Sequence, residues 1–222
     1  LPNLETRFIS ANTLIGLEKL KNNDVFLLEN IEDLENKLKN LRNSYFEAKT
    51  REDKLSKQTE DKDLREKIEA KLIELGYNDM ESHKIASFDP YDLNAHASWF
   101  DPEWMFGVKE GFDIVIGNPP YIQLQKAYNS TKKFADLYKD QRYITFDRMG
   151  DIYCLFYERG LQLLKDYGYL AFITSNKWMR AGYGEKLGKF FLNYNPKILI
   201  DLGADVFENA TVDTNIFIIK RN

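Results

Sequence analysis

Apolar residues recur along this chain with more than one period. Ile31, Leu34, Leu38, Leu41 and Tyr45 step by three and four, and Leu64, Ile68, Leu72 and Leu75 repeat the step. Such spacing predicts two amphipathic helices with facing seams. The stretch from 29 to 75 is rich in Glu, Lys and Asn and contains no proline; a break near residues 56–61 is expected to fold it into a helical hairpin. Residues 112–116, Phe-Asp-Ile-Val-Ile, have no helical period and suit a strand buried on both faces of a parallel sheet. Further on, Leu155, Phe156, Gly160, Leu161 and Leu164 return to helical spacing, and a helix is expected near 185–194. Residues 169–174, 198–202 and 216–219 are short apolar runs that read as strands. Strands interleaved with helices predict an α/β fold.

The run at 112–116 ends abruptly in Gly117, Asn118, Pro119, Pro120 and Tyr121. Two consecutive prolines have no N–H for a ladder and fix φ near −65°, so the chain must leave the sheet at Asn118. Ligands of open α/β sheets bind beyond the carboxyl ends of the strands, which makes Asn118, Pro119, Pro120 and Tyr121 candidate catalytic residues. Their chemistry suits an exocyclic base amine, a weak nucleophile whose lone pair is delocalised into the ring. The Asn118 side-chain oxygen and the Pro119 carbonyl can each accept one N–H of that amine, favouring the geometry in which its lone pair faces a methyl donor. Tyr121 offers a ring on which a base can stack. A base inside a duplex cannot reach such a loop and must be flipped out, and stacking on an aromatic ring returns about 1–3 kcal/mol.

These residues, together with the helix opening Gly-Asp-Ile-Tyr-Cys-Leu-Phe at 150–156 and the order of elements after it, resemble the adenine-specific amino-methyltransferases. The likeness is to the large form fused into type IIG restriction-modification enzymes, and it covers about half of the chain well. The resemblance implies a partial Rossmann-like methyltransferase sheet closed by a terminal β-hairpin, with its turn near residues 207–211. It implies S-adenosyl-L-methionine as cofactor and double-stranded DNA as partner. By the same resemblance Phe207 is a second base-stacking ring opposite Tyr121, and Phe156 packs against the adenine of the cofactor. Asn12, at the end of a strand within the first seventeen residues, is the expected contact to the cofactor's adenine amine.

The family's first motif, a Gly-rich loop for the methionine end of the cofactor, has no counterpart here, because Gly16 and Gly76 are isolated. A fragment of a larger enzyme is therefore expected, inactive alone, preceded by the cofactor-loop segment and followed by a target recognition domain. Its parts are residues 1–28, a first strand and helix of the methyltransferase sheet; 29–86, the helical-hairpin insertion; and 87–222, the catalytic part. The aromatic lead-in, with Phe88, Tyr91, Trp99, Phe100, Trp104 and Phe106, is expected to pack the insertion onto the sheet.

Composition narrows the classes further. The 222 residues are 43% hydrophobic and 14% aromatic, enough for a globular core. No apolar stretch approaches the roughly 18 residues of a membrane span and no signal peptide is present, so no membrane partner and a cytoplasmic location are expected. The single Cys154 excludes an intrachain disulfide. With His83 and His96 as the only histidines, no metal site is expected. Glu-x-Lys triplets at 35–37 and 69–71 fall in helical stretches and read as solvated faces, not as a nuclease centre. The net charge is −4, yet residues 118–222 hold 15 Lys/Arg against 11 Asp/Glu. Lys132, Lys133, Arg142, Lys177 and Arg180 are therefore candidate phosphate contacts. The resemblance thus implies a DNA adenine-N6 methyltransferase of a restriction-modification system. Its alternatives are an amino-methyltransferase for cytosine, an RNA base or a protein glutamine, and a catalytically inactive DNA-binding or assembly module.

Overall fold

The computed structural model of the protein describes residues 3–17, 25–128, 132–204, 206–207 and 212–222, with backbone alone for 25–30. The chain divides into two compact units, Leu1–Lys109 and Glu110–Asn222.

In the first unit, helices α1 (Val25–Phe46) and α2 (Arg51–Glu74) form the expected hairpin, followed by α3 (Asp79–Ser87) and α4 (Pro102–Phe106). The turn lies at residues 47–50, not at 56–61. Residues 56–61 contain no Gly or Pro to interrupt a helix, whereas Thr50 is a working N-cap whose hydroxyl oxygen accepts from Asp53 N at 3.1 Å, with Glu52 and Asp53 in the first turn. Ile31, Leu38, Leu41, Leu64, Ile68, Leu72 and Leu75 form the seam. The lead-in rings Phe88 and Trp99 enter this same core, with Phe100, Trp104 and Phe106 packed against it. The lead-in therefore completes the core of the first unit, of which it is a part.

A buried charge cluster crosses that seam. The Asp61 side chain is fully buried and accepts from Arg42 Nε and Arg65 Nε, each at 2.7 Å. Arg42 Nη1 also donates to the Trp104 carbonyl at 2.8 Å, Arg65 Nη1 to the Ala86 carbonyl, and Tyr91 Oη to Asp61 at 3.1 Å. One carboxylate thus ties α1, α2, α3, the loop at Tyr91 and α4 together.

Strands β1 (Ser10–Ala11) and β2 (His96–Ala97) form a two-stranded parallel ladder of their own. The expectation that the first strand joins the methyltransferase sheet is not met: the four-stranded sheet excludes it. Its ladder is only two residues long because the Asn12 side-chain oxygen accepts from Leu14 N at 3.2 Å and turns the chain.

The second unit holds that sheet, built from β3 (Phe112–Gly117), β4 (Leu164–Ser175), β5 (Asn195–Gly203) and β6 (Thr214–Lys220) in the order β3-β4-β6-β5. β3 and β4 are parallel, while β6 runs antiparallel to both β4 and β5. This is the expected partial Rossmann-like sheet, closed by the β5–β6 hairpin; residues 208–211 of its connection lie outside the described residues. Helices α5 (Phe134–Tyr138), α6 (Tyr153–Gln162) and α7 (Gly184–Phe191) complete the unit. Tyr157, Leu161, Leu187 and Phe191 pack with Leu170, Phe172, Phe217 and Ile219 of the sheet.

The expectation that β3 is buried on both faces is not met. Val115 packs against the core, but Ile114 and Ile116 are 64% and 80% exposed. The register extends this face through Ala171, Ile218 and Ile198, and through Ile173, Ile216 and Ile200. The reason is layer geometry: the core helices gather the alternate side chains, leaving a continuous aliphatic surface.

Two outcomes follow for the first unit. Asp61→Ala leaves two buried guanidinium groups without their carboxylate and should cost about 3–5 kcal/mol in urea unfolding. Glu35 is pushed up to about 7, first by burial and then by the charge of Glu103, against the pull of Lys109. Lys109 sits 3.3 Å from Glu35 and also pairs with Glu32 and Glu103. A raised carboxyl stabilises the fold fully below its unfolded value of 4.5, and that stability is lost as pH rises through about 7. The urea midpoint should fall across this window, and Glu103→Gln should shrink the fall.

Candidate active site

Gly117 ends β3 against the Phe172 ring, where an added Cβ would lie 3.2 Å from Phe172 Cε1. The chain then passes through exposed Asn118, buried Pro119 and exposed Pro120 to half-buried Tyr121. Among the described residues the Asn118 side chain has no hydrogen-bond partner, so its amide oxygen is free to accept. Tyr121 folds back along β4, its hydroxyl donating to the Ile173 carbonyl at 3.4 Å, and burial pushes its phenol upward. Its ring stands perpendicular to that of Tyr153, with centroids 6.3 Å apart.

The exit of the loop is pinned by main-chain bonds. Ile152 N donates to the Ile122 carbonyl and Leu124 N to the Gly150 carbonyl, each at 2.9 Å, making an antiparallel bridge between Gln123 and Asp151. The Gln123 side chain adds a bond to the Met149 carbonyl at 2.9 Å. The segment from Gly117 to Leu124 is therefore held at both ends while Asn118 faces solvent.

The structure gathers the sequence-expected residues in part. Asn118, Pro119, Pro120, Tyr121, Phe156 and Phe207 all belong to the second unit, and Asn12 to the first. Phe156 lies on α6 and is half-buried at the edge of the core. Phe207 is half-buried in the β5–β6 connection. Of the basic candidates, Lys177 and Arg180 line an open recess of about 360 Å³ with Asn176, Ala181, Val212 and Asp213. Arg180 is held there by Asn176 at 3.0 Å and Asp213 at 3.2 Å. Lys133 lies over the Tyr128 ring at 5.5 Å. Arg142, with φ 58°, caps a short turn. Cys154 is buried with its thiol pushed up by burial, which suits packing and not nucleophilic chemistry. The described residues contain no His/Cys/Asp/Glu group able to hold a metal ion.

Sequence reasoning missed a polar chain beneath the loop, Tyr153 Oη to Tyr183 Oη at 2.9 Å and Tyr183 Oη to Asp151 Oδ2 at 2.6 Å. Thirty residues separate the two tyrosines, and no periodicity reports such a contact. The one available signal was glycine beside each end, Gly150 before Asp151 and Gly184 after Tyr183.

A family model described as Eco57I restriction-modification methylase matches residues 6–207. The chain belongs to this family. The methylase-family chain is 33% identical over 153 residues to the type II restriction enzyme and methyltransferase RM.Eco57I of Escherichia coli, covering 68% of this chain and 14% of that protein. It is 35% identical over 113 residues to the type II methyltransferase M.BstVI of Geobacillus stearothermophilus, covering 49% of this chain and 19% of that protein. It thus spans a minor part of both relatives. Among solved structures, the M protein of the type I restriction enzyme EcoKI aligns with a TM-score of 0.42 at 13% identity, over 59% of this chain and 25% of that one.

Gly184 of this methylase-family chain tests the packing beneath the loop. A Cβ there would lie 1.8 Å from the Trp178 carbonyl oxygen, so backbone must move to admit it. Gly184→Ala should lower stability by about 1–3 kcal/mol or more in urea unfolding.

Proposed function

We propose that this chain is the catalytic portion of an adenine-N6 DNA methyltransferase of a type II restriction-modification system. The observation that carries the reading is Asn118, an unpartnered amide at the carboxyl end of a parallel strand, followed by two prolines and a half-exposed tyrosine ring. In this reading the Asn118 Oδ1 and the Pro119 carbonyl accept the two hydrogens of the adenine amine and orient its lone pair. Tyr121 and Phe207 flank the flipped base. S-adenosyl-L-methionine, when bound, supplies an electrophilic methyl group. Phe156 is the residue of this chain offered to the cofactor's adenine ring, its half-buried aromatic face being suited to a flat heterocycle. The chain's own part is to hold the amine with its lone pair toward that methyl group; transfer would form the N–C bond as the methyl carbon's bond to sulfur breaks, leaving the thioether S-adenosylhomocysteine, and the methylated amine would lose one proton to solvent.

Double-stranded DNA is the proposed partner, and a cytoplasmic location accords with it; no helix among the described residues is long and apolar enough to cross a membrane. The small share of the relatives that the chain spans supports a larger parent, which in this reading also carries the cofactor loop and a target recognition domain.

The test is transfer of labelled methyl from S-adenosylmethionine to duplex DNA by the full-length protein, followed by nucleoside analysis. Label in N6-methyladenine supports the assignment, while label in N4-methylcytosine reassigns the base. Asn118→Ala should lower kcat by about 10²–10³, equivalent to about 2.7–4 kcal/mol of lost transition-state stabilisation. Undiminished turnover in that variant overturns the role given to Asn118.

A further inference from the structure

We infer that Asp151 and Tyr183 are positioning residues that act through buried Tyr153 to set the ring plane of Tyr121, and so the plane of the base stacked on it. The inference rests on the proposed role of Tyr121 as a stacking ring.

Tyr153 is fully buried at the first turn of α6. A buried phenol needs a partner, and its hydroxyl meets Tyr183 Oη at 2.9 Å. Tyr183 spends its own proton on the Asp151 carboxylate at 2.6 Å, a short charge-assisted bond. With that proton committed, Tyr183 can only accept from Tyr153. The chain therefore has one direction, Tyr153 to Tyr183 to Asp151, and it fixes the Tyr153 ring in its slot. Burial keeps both phenols protonated by pushing them well above their ordinary range.

What the Tyr153 ring then touches is Tyr121, at an interplanar angle of 89°. Among the described residues, the one polar anchor of the Tyr121 side chain is its 3.4 Å bond to the Ile173 carbonyl, too long to fix a ring plane alone. The perpendicular contact with Tyr153 supplies the missing constraint. Asp151 reaches the same loop by a second route, since its backbone is bridged to Gln123 at the loop exit. Both routes are braced from α7: Lys186 Nζ donates to the Phe146 carbonyl at 2.7 Å and pairs with Asp147 at 3.4 Å. At the other end, a Cβ on Gly150 would lie 3.5 Å from the Tyr183 ring.

The experiment is a double-mutant cycle on the full-length protein, reading kcat and KM for duplex DNA. Fluorescence of 2-aminopurine at the target position is the second readout. Tyr183→Phe should lower kcat about tenfold with little change in KM, and alter the fluorescence of the flipped base. Asp151→Ala should do the same, whereas Asp151→Asn, whose amide oxygen still accepts from Tyr183, should retain most of the activity. In a Tyr121→Ala background, Tyr183→Phe should have no further effect, because the ring it positions is gone. Equal losses in both backgrounds would mean that Tyr183 acts independently of Tyr121 and would overturn the inference, as would an unchanged kcat in Tyr183→Phe. Should Tyr183→Phe fail to fold by circular dichroism, Tyr153→Phe removes the first link alone and is read by the same criteria. If Tyr121→Ala itself leaves kcat and fluorescence unchanged, the stacking role fails first, and the two failures are distinguishable.

Discussion

The constraint on which the second unit turns is the pair of proline nitrogens at 119 and 120, which bring no hydrogen to a sheet. A strand needs a donor at every second position, and β3 loses its supply at Pro119, two residues after Gly117. Leaving the sheet is thus obligatory, and the place of departure is fixed to one residue. Since β3 and β4 are parallel, the departure falls beside the last residues of β4, where Tyr121 can reach the Ile173 carbonyl. From that point the loop must return, and it does so by pairing with Asp151. The candidate loop is short, anchored at both ends, and exposes Asn118 and Pro120.

The two cores follow different strategies. The second is aromatic: Tyr157, Phe172, Phe191, Phe217 and Trp178 meet with ring centroids between 5.0 and 6.3 Å apart, supplying large contact area with few rotatable bonds. The first is aliphatic along the helical seam but is crossed by a carboxylate and two guanidinium groups. Directional bonds of this kind fix the register of α1 against α2, which the interchangeable leucines and isoleucines of the seam leave open.

Much of this was legible in local pattern, because periodicity reports which side of an element faces a core. The helical seam and the later strands could be read in that way; β3 was read in its place but not in its burial, and the closing hairpin came from the family resemblance. The departure of the chain from the sheet at Asn118 was legible because proline and glycine carry their geometry with them. What escaped were features decided by a cap or by contacts distant in sequence. The turn at Thr50 depends on one hydroxyl, and nothing in the local pattern sets Asp61 and Arg65 apart from the other charges of a highly charged helix. Tyr153 and Tyr183 looked like two more aromatic residues in a chain rich in them. The two-residue length of β1 could not be foreseen, since Asn12 reads equally well as the end of a strand or the start of a turn.

The aliphatic face of the sheet has a bearing on how the protein comes into being. Isoleucines 114, 116, 198 and 200 stand between 44% and 80% exposed, and among the described residues β5 is an edge strand of the sheet. During synthesis on the ribosome such a surface is adhesive from the moment the hairpin closes. Selection on this sequence therefore acts on the order of folding events as well as on the final shape.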